Sequence, residues 1–99
     1  MTLREQFEEQ GGRLDCTCGA CPEQYDVFMD GEQIGYIRLR HGQLTASYPD
    51  VGGTVVYRHS FDNDRGCFLN TAEASWFVDR CLVELLTAVI MGVGLPYRW

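Results

Sequence analysis

The dipeptide Asp30-Gly31 sits between two stretches that alternate apolar and polar residues, and this leaves the chain few options. A two-residue hairpin turn needs positive φ at both central positions, which Asp tolerates and Gly adopts freely. Before the turn, "QYDVFMD" places Tyr25, Val27 and Met29 on one face. After it, "QIGYIRLR" places Gly35, Ile37 and Leu39 on one face and Tyr36, Arg38 and Arg40 on the other. His41-Gly42 marks a second tight turn. "QLTASY" then directs Leu44, Ala46 and Tyr48 inward. After a looser connection over residues 49–53, "TVVYRHSF" is expected to turn Val55, Tyr57, His59 and Phe61 inward, and Val56, Arg58 and Ser60 outward. Four strands joined by short turns predict an antiparallel meander.

Two helices flank it. Thr2 and Glu5 fit a capping box, and Leu3 and Phe7 supply a small apolar stripe before Gly11-Gly12 stops the helix. Asn70 or Thr71 caps a much longer one, predicted over about Thr71 to Met91. Its apolar positions Trp76, Phe77, Val78, Cys81, Leu82, Leu85, Leu86, Val89 and Ile90 recur at helical period. Asp79, Arg80, Glu84 and Thr87 fill the polar side, and Gly92, Gly94 and Pro96 end the helix. The expected fold is α+β: a four-stranded antiparallel meander packed against a long C-terminal helix, with a short N-terminal helix, all in a single domain over residues 1–99.

The charge balance narrows function. Fourteen acids against eight basic residues, all arginine, give a net charge of −6. This is the wrong sign for non-specific binding to a phosphate backbone, so no direct DNA binding is expected. "MTLREQFEEQ" lacks the apolar core of a signal peptide, and "LLTAVIMGVGLPY" is too short and too glycine-broken for a membrane span. A cytoplasmic setting without membrane contact is the expectation, with thiols reduced.

The stretch "CPEQYDVFMDGEQIGYIRLRHGQL" resembles a loose group of small uncharacterised phage- and prophage-encoded proteins. The matching residues are Cys21-Pro22-Glu23-Gln24, which is similar to a CPVQ start, then Asp30-Gly31, Tyr36, Arg38-Leu39-Arg40 and Gly42. Leu44 stands where that group carries a tryptophan. The resemblance spans about residues 21–44. It implies a mobile-element origin and the sheet meander, and it brings no catalytic residue with it.

Five cysteines, three of them in "DCTCGAC", raise the question of a metal. Cys16, Cys18 and Cys21 offer three thiolates, and zinc asks for a fourth ligand, from Cys67, His41, His59 or Cys81. The second half of the chain has no C-x-x-C knuckle to match. A reduced packing turn without metal is the leading reading, a disulfide or redox role comes next, and zinc is the sharper minority reading. Cys81 falls on the helix stripe and reads as a small core hydrophobe. "DNDRG" (Asp62 to Gly66) imitates the start of a calcium loop, but Gly66 falls one position early; a solvated turn with an arginine–acid pair fits better. His41 belongs to a turn, and His59 to the apolar face or its rim. The chain carries no nucleophile elbow, P-loop, zincin helix or dinucleotide fingerprint. No enzyme activity and no cofactor are expected, although a Cys–His pair meeting only in space stays open.

The outer sheet face holds the residue types that dominate binding sites: Phe28, Tyr36, Arg38, Arg40, Val56 and Arg58. Two outcomes stay open there, a partner site or an arginine face that is merely solvated or covered by the N-terminal helix. The acids Glu5, Glu8, Glu9, Asp15, Glu23 and Asp26 form a second candidate surface that would mimic phosphates toward a basic groove. The functional expectation is a non-enzymatic protein-binding accessory protein of phage or prophage type. Its partner would be a host protein or protein–nucleic-acid complex, and its concrete form an anti-CRISPR-like inhibitor of a host nucleic-acid-handling defence. A small zinc-stabilised regulatory or nucleic-acid-binding module is the alternative.

Overall fold

The computed structural model describes residues 2–17 and 23–91. Helix α1 (Leu3–Glu9) is followed by five strands and helix α2 (Thr71–Met91). The strands are β1 (Gly12–Cys16), β2 (Glu23–Met29), β3 (Glu32–Arg40), β4 (Gln43–Tyr48) and β5 (Thr54–Ser60). They form one antiparallel sheet in sequence order. The α+β class and both helices match the sequence, but the sheet has five strands where four were expected. The added strand, β1, is short and opens on a glycine. Only Leu14 gives it a buried side chain, so its alternation is weak against the neighbouring cysteines.

Both tight turns form as the sequence requires. Asp30 and Gly31 take φ of 51° and 84°, and His41 and Gly42 take 52° and 73°. Two β-bulges reset the faces. At the first, Val27 pairs with Gly35 and Phe28 with Gln33. The extra residue, Ile34, is buried in the core. At the second, Ala46 pairs with Tyr57 and Ser47 with Val55. This corrects the expected faces of β5: the extra residue Val56 packs against the core, while Val55 is exposed. A strict period of two cannot survive an inserted residue.

Helix α2 covers the inner face. Val78, Cys81, Leu82, Leu85 and Ala88 are its buried residues, and the first four join Val27, Ile37, Leu39, Leu44 and Ala46 of the sheet in one core. Trp76 and Ile90, counted in the apolar stripe by period, are exposed. Leu85 lies directly over Gly35, where a Cβ would clash with its side chain. The glycine is therefore a packing device that lets the helix approach the middle of β3.

Helix α1 has its capping box in place, with Thr2 Oγ1 accepting from Glu5 N and Glu5 Oε1 accepting from Thr2 N. Alone it would be too short to persist. Phe7 is buried, and Asp79 of α2 accepts from the N–H groups of Leu3 and Arg4 at the positive end of the helix. It thus packs against α2 and β1 and leaves the outer sheet face uncovered.

Leu82→Ala and Leu85→Ala are each expected to cost about 2–5 kcal/mol in denaturant unfolding. Gly35→Ala should cost about 1–3 kcal/mol through overpacking. Combined with Leu85→Ala, it should cost less than the sum, because the added methyl group enters the space vacated by the leucine. Strictly additive costs would refute the contact.

Candidate functional site: an arginine cleft on the outer sheet face

The face turned away from α2 carries one row of side chains across four strands: Gln24, Arg38, Thr45 and Arg58, each the register partner of the next. Arg40 follows Arg38 by two residues and so projects the same way, opposite Gln43. Together they border an open cleft of about 480 Å³. Ser47, which is buried, and Thr45 supply hydroxyls, Val55 an apolar wall, and His41 the rim. No carboxylate among the described residues lines it.

The arginines divide sharply. Seven lie among the described residues. Four of them, Arg4, Arg13, Arg65 and Arg80, each form an ion pair with an acid, at 3.5, 2.9, 2.8 and 3.0 Å. Each of those four also sits over an aromatic ring. The remaining three, Arg38, Arg40 and Arg58, have neither acid nor ring among the described residues, and all three line the cleft. Like charges so gathered repel one another until an anion joins them.

The other expected partner residues are not all assembled here. Phe28 lies on the same face but at its far end, under Arg13 at 4.3 Å. Tyr36 stands one row from the cleft, between Asp26 and Ser47, and does not line it. Asp15 is on the outer face too, held by Arg13 and directly opposite Asp26. Glu5 is fixed in the capping box, whose backbone hydrogen bond from Thr2 holds its carboxyl below the usual range. Glu9 is exposed at the end of α1, away from the cleft. Glu23 is committed structurally: it accepts from Phe68 N and Tyr25 O–H, both at 2.8 Å. Burial, with this bond to Glu23 next, pushes Tyr25 up to about 12. Val55 and the hydroxyls of Thr45 and Ser47 were missed. Only the second bulge brings Val55 to this face, and a bulge leaves little trace in sequence.

The metal candidates disperse. Cys67 is disulfide-bonded, which corrects the expectation of a fully reduced cluster and removes this residue as a thiolate ligand. Cys18 and Cys21 lie outside the described residues, and Cys16 is exposed at the end of β1. Cys81 is buried on the inner face of α2, and burial pushes its thiol up to about 12, which disfavours the thiolate at neutral pH. His59 packs its ring against Phe61 and Phe77 at 4.7 and 4.8 Å, a structural role.

The loop over residues 61–70 braces the cleft from behind. Gly42 donates its N–H to Arg65 O, and a Cβ on Gly42 would strike Asn63 O. Arg65 in turn grips Glu73 through two hydrogen bonds, at 2.8 and 3.1 Å, and Asn70 caps α2 by accepting from Glu73 N. This is the arginine–acid pair expected of the false calcium loop. No helix among the described residues is long and apolar enough to cross a membrane. No family model, curated protein or solved structure matches the chain.

Two outcomes test this bracing. Cys67→Ser should cost about 2–5 kcal/mol in urea unfolding, the range for a native disulfide of a small domain; an unchanged midpoint would make the bond incidental. Glu73 has its carboxyl held below 4.5, first by Leu69 N–H and then by Arg65. A depressed carboxyl contributes stability above its unfolded value and loses it as pH falls through the folded one. Glu73→Gln should therefore lower the melting temperature at neutral pH and flatten the decline in acid below about pH 4.5. Parallel curves for variant and parent would exclude this contribution.

Proposed function

We propose that the protein acts by binding and not by catalysis, and that an acidic surface of a partner protein seats in the Arg38–Arg40–Arg58 cleft. The observation that carries this reading is the division of the arginines, four paired with acids and three left together around one concavity. Arginine in a partly desolvated centre is a common source of interface energy. A face that α1 leaves open supports the same reading. A zinc-stabilised module has less support, since Cys67 is engaged in a disulfide. The resemblance to phage and prophage proteins suggests a host protein as the partner, with a nucleic-acid-handling defence as the concrete case. The net charge of −6 favours a protein over bare nucleic acid.

The test is capture from host-cell lysate by the immobilised parent and by the Arg38→Ala, Arg40→Ala, Arg58→Ala triple variant. The melting temperature of the variant should stay close to the parent's, because exposed charges contribute little to stability. A partner captured by the parent should be lost by the variant, with affinity falling by more than about 2 kcal/mol for the purified pair. Retention by a folded variant would place the working surface elsewhere, on the acids around Glu5, Glu9 and Asp15.

A further inference from the structure

We propose that the group received by the cleft is a phosphorylated side chain, carried on an extended segment of the partner protein. The inference rests on the cleft being the partner site, and it names the chemistry of what enters. Arg38 and Arg58 sit two strands apart with Thr45 between them, so their backbones are separated by about 10 Å at ordinary strand spacing. Arg40 lies about 7 Å along β3 from Arg38. All three arginines line the same cleft. A carboxylate offers two oxygens in one plane and is satisfied by a single guanidinium fork. A phosphate monoester offers three terminal oxygens in a tetrahedron and up to two negative charges, which three forks match. The hydroxyls of Thr45 and Ser47 supply further donors in the same cleft.

Two features select the carrier. Among the described residues the cleft lining holds no Phe, Tyr or Trp, since Tyr36 and Phe28 lie outside it, and its one ring is His41 at the rim, a poor platform for successive nucleobases. It is also open, with Arg40 and Arg58 exposed, whereas a small free ligand needs most of its surface enclosed. Affinity must then come from chain on either side of the phosphate. Strand β5 is the last strand of the sheet among the described residues, an edge to which an extended peptide would add. A segment paired there would turn alternate side chains onto the face that holds Arg58.

The full-length protein is titrated calorimetrically with a short phosphoserine peptide, the same peptide carrying serine, the same carrying glutamate, and free phosphoserine. The phosphopeptide should bind about tenfold or more tightly than the glutamate peptide, and the serine peptide should not bind. Free phosphoserine should bind more weakly than the phosphopeptide. Arg58→Gln and Arg38→Lys should each lose about tenfold or more in phosphopeptide affinity, with unchanged melting temperatures. Arg13→Gln, away from the cleft, should change nothing. Equal binding of glutamate and phosphoserine peptides overturns the phosphate inference and leaves the acidic-partner reading standing. Free phosphoserine as tight as the peptide overturns the peptide carrier. Phosphopeptide binding that survives both cleft variants, or no binding of any acidic peptide, overturns this inference. Partner capture lost in the triple alanine variant would still uphold the cleft in either case.

Discussion

The seating of Leu85 on Gly35 decides which side of the sheet is dry, and the rest of the molecule follows from that choice. With α2 placed there, Ile37 and Leu39 must point toward it, and Arg38 and Arg40 must point away. A slip of one residue in β3 would exchange the two sets and drive two guanidinium groups under the helix. Burying unpaired charges costs far more than any local turn preference can supply. The arginine face is thus the other side of a packing decision, and the apolar residues between the arginines enforce it.

Packing alone would leave the cleft rim loose, because the turn at His41-Gly42 is at the end of a hairpin. The loop over residues 61–70 closes that gap. It touches Gly42 through Arg65 O, holds Phe68 N on the Glu23 carboxylate, and ties Arg65 to Glu73 in the first turn of α2. The disulfide at Cys67 belongs to the same segment. Ordering these groups in advance reduces what a ligand must spend on ordering them at binding. The polar loop that resembles a weak calcium site therefore acts as a brace between the helix and the rim.

Much of this was legible in the residues. Asp30-Gly31 and His41-Gly42 need positive φ, so the two turns and the strands beside them could be read directly. The span of α2 was legible because an Asn70–Thr71 cap precedes an apolar period from Trp76 to Ile90 and Gly92 follows it. What escaped were features without a local signature. Strand β1 rests on the single buried residue Leu14. The bulges that turn Val56 inward and Val55 outward arise from pairing with Ala46 and Ser47, which are distant in sequence. The arginine row was legible within β3 through period two. Its extension to Arg58 depended on β4 lying between, with Thr45 as the link. That four other arginines pair with acids among the described residues, and these three do not, is a property of the folded chain only.

A net charge of −6 gives weight to three arginines in one cleft with no acid partner among the described residues. Acids outnumber bases, so partners for every arginine were available to the sequence. They are placed elsewhere: Glu8, Asp15, Glu73 and Glu84 hold the other four described arginines in ion pairs. On the outer face Asp15 and Asp26 are adjacent on β1 and β2 with Arg13 beside Asp15, while Arg38, Arg40 and Arg58 lie on β3 and β5. Asp15 opposite Asp26 is an unfavourable cross-strand pair, partly relieved by Arg13. A face arranged for stability alone would interleave acids with Arg38, Arg40 and Arg58 as it does with Arg13. One with its negative end at β1–β2 and its positive end at β3–β5 has a direction, and an acidic segment approaching it is repelled from one half and drawn to the other. That asymmetry sets the orientation of an incoming anionic partner before any contact forms, as complementary fields do in steered association.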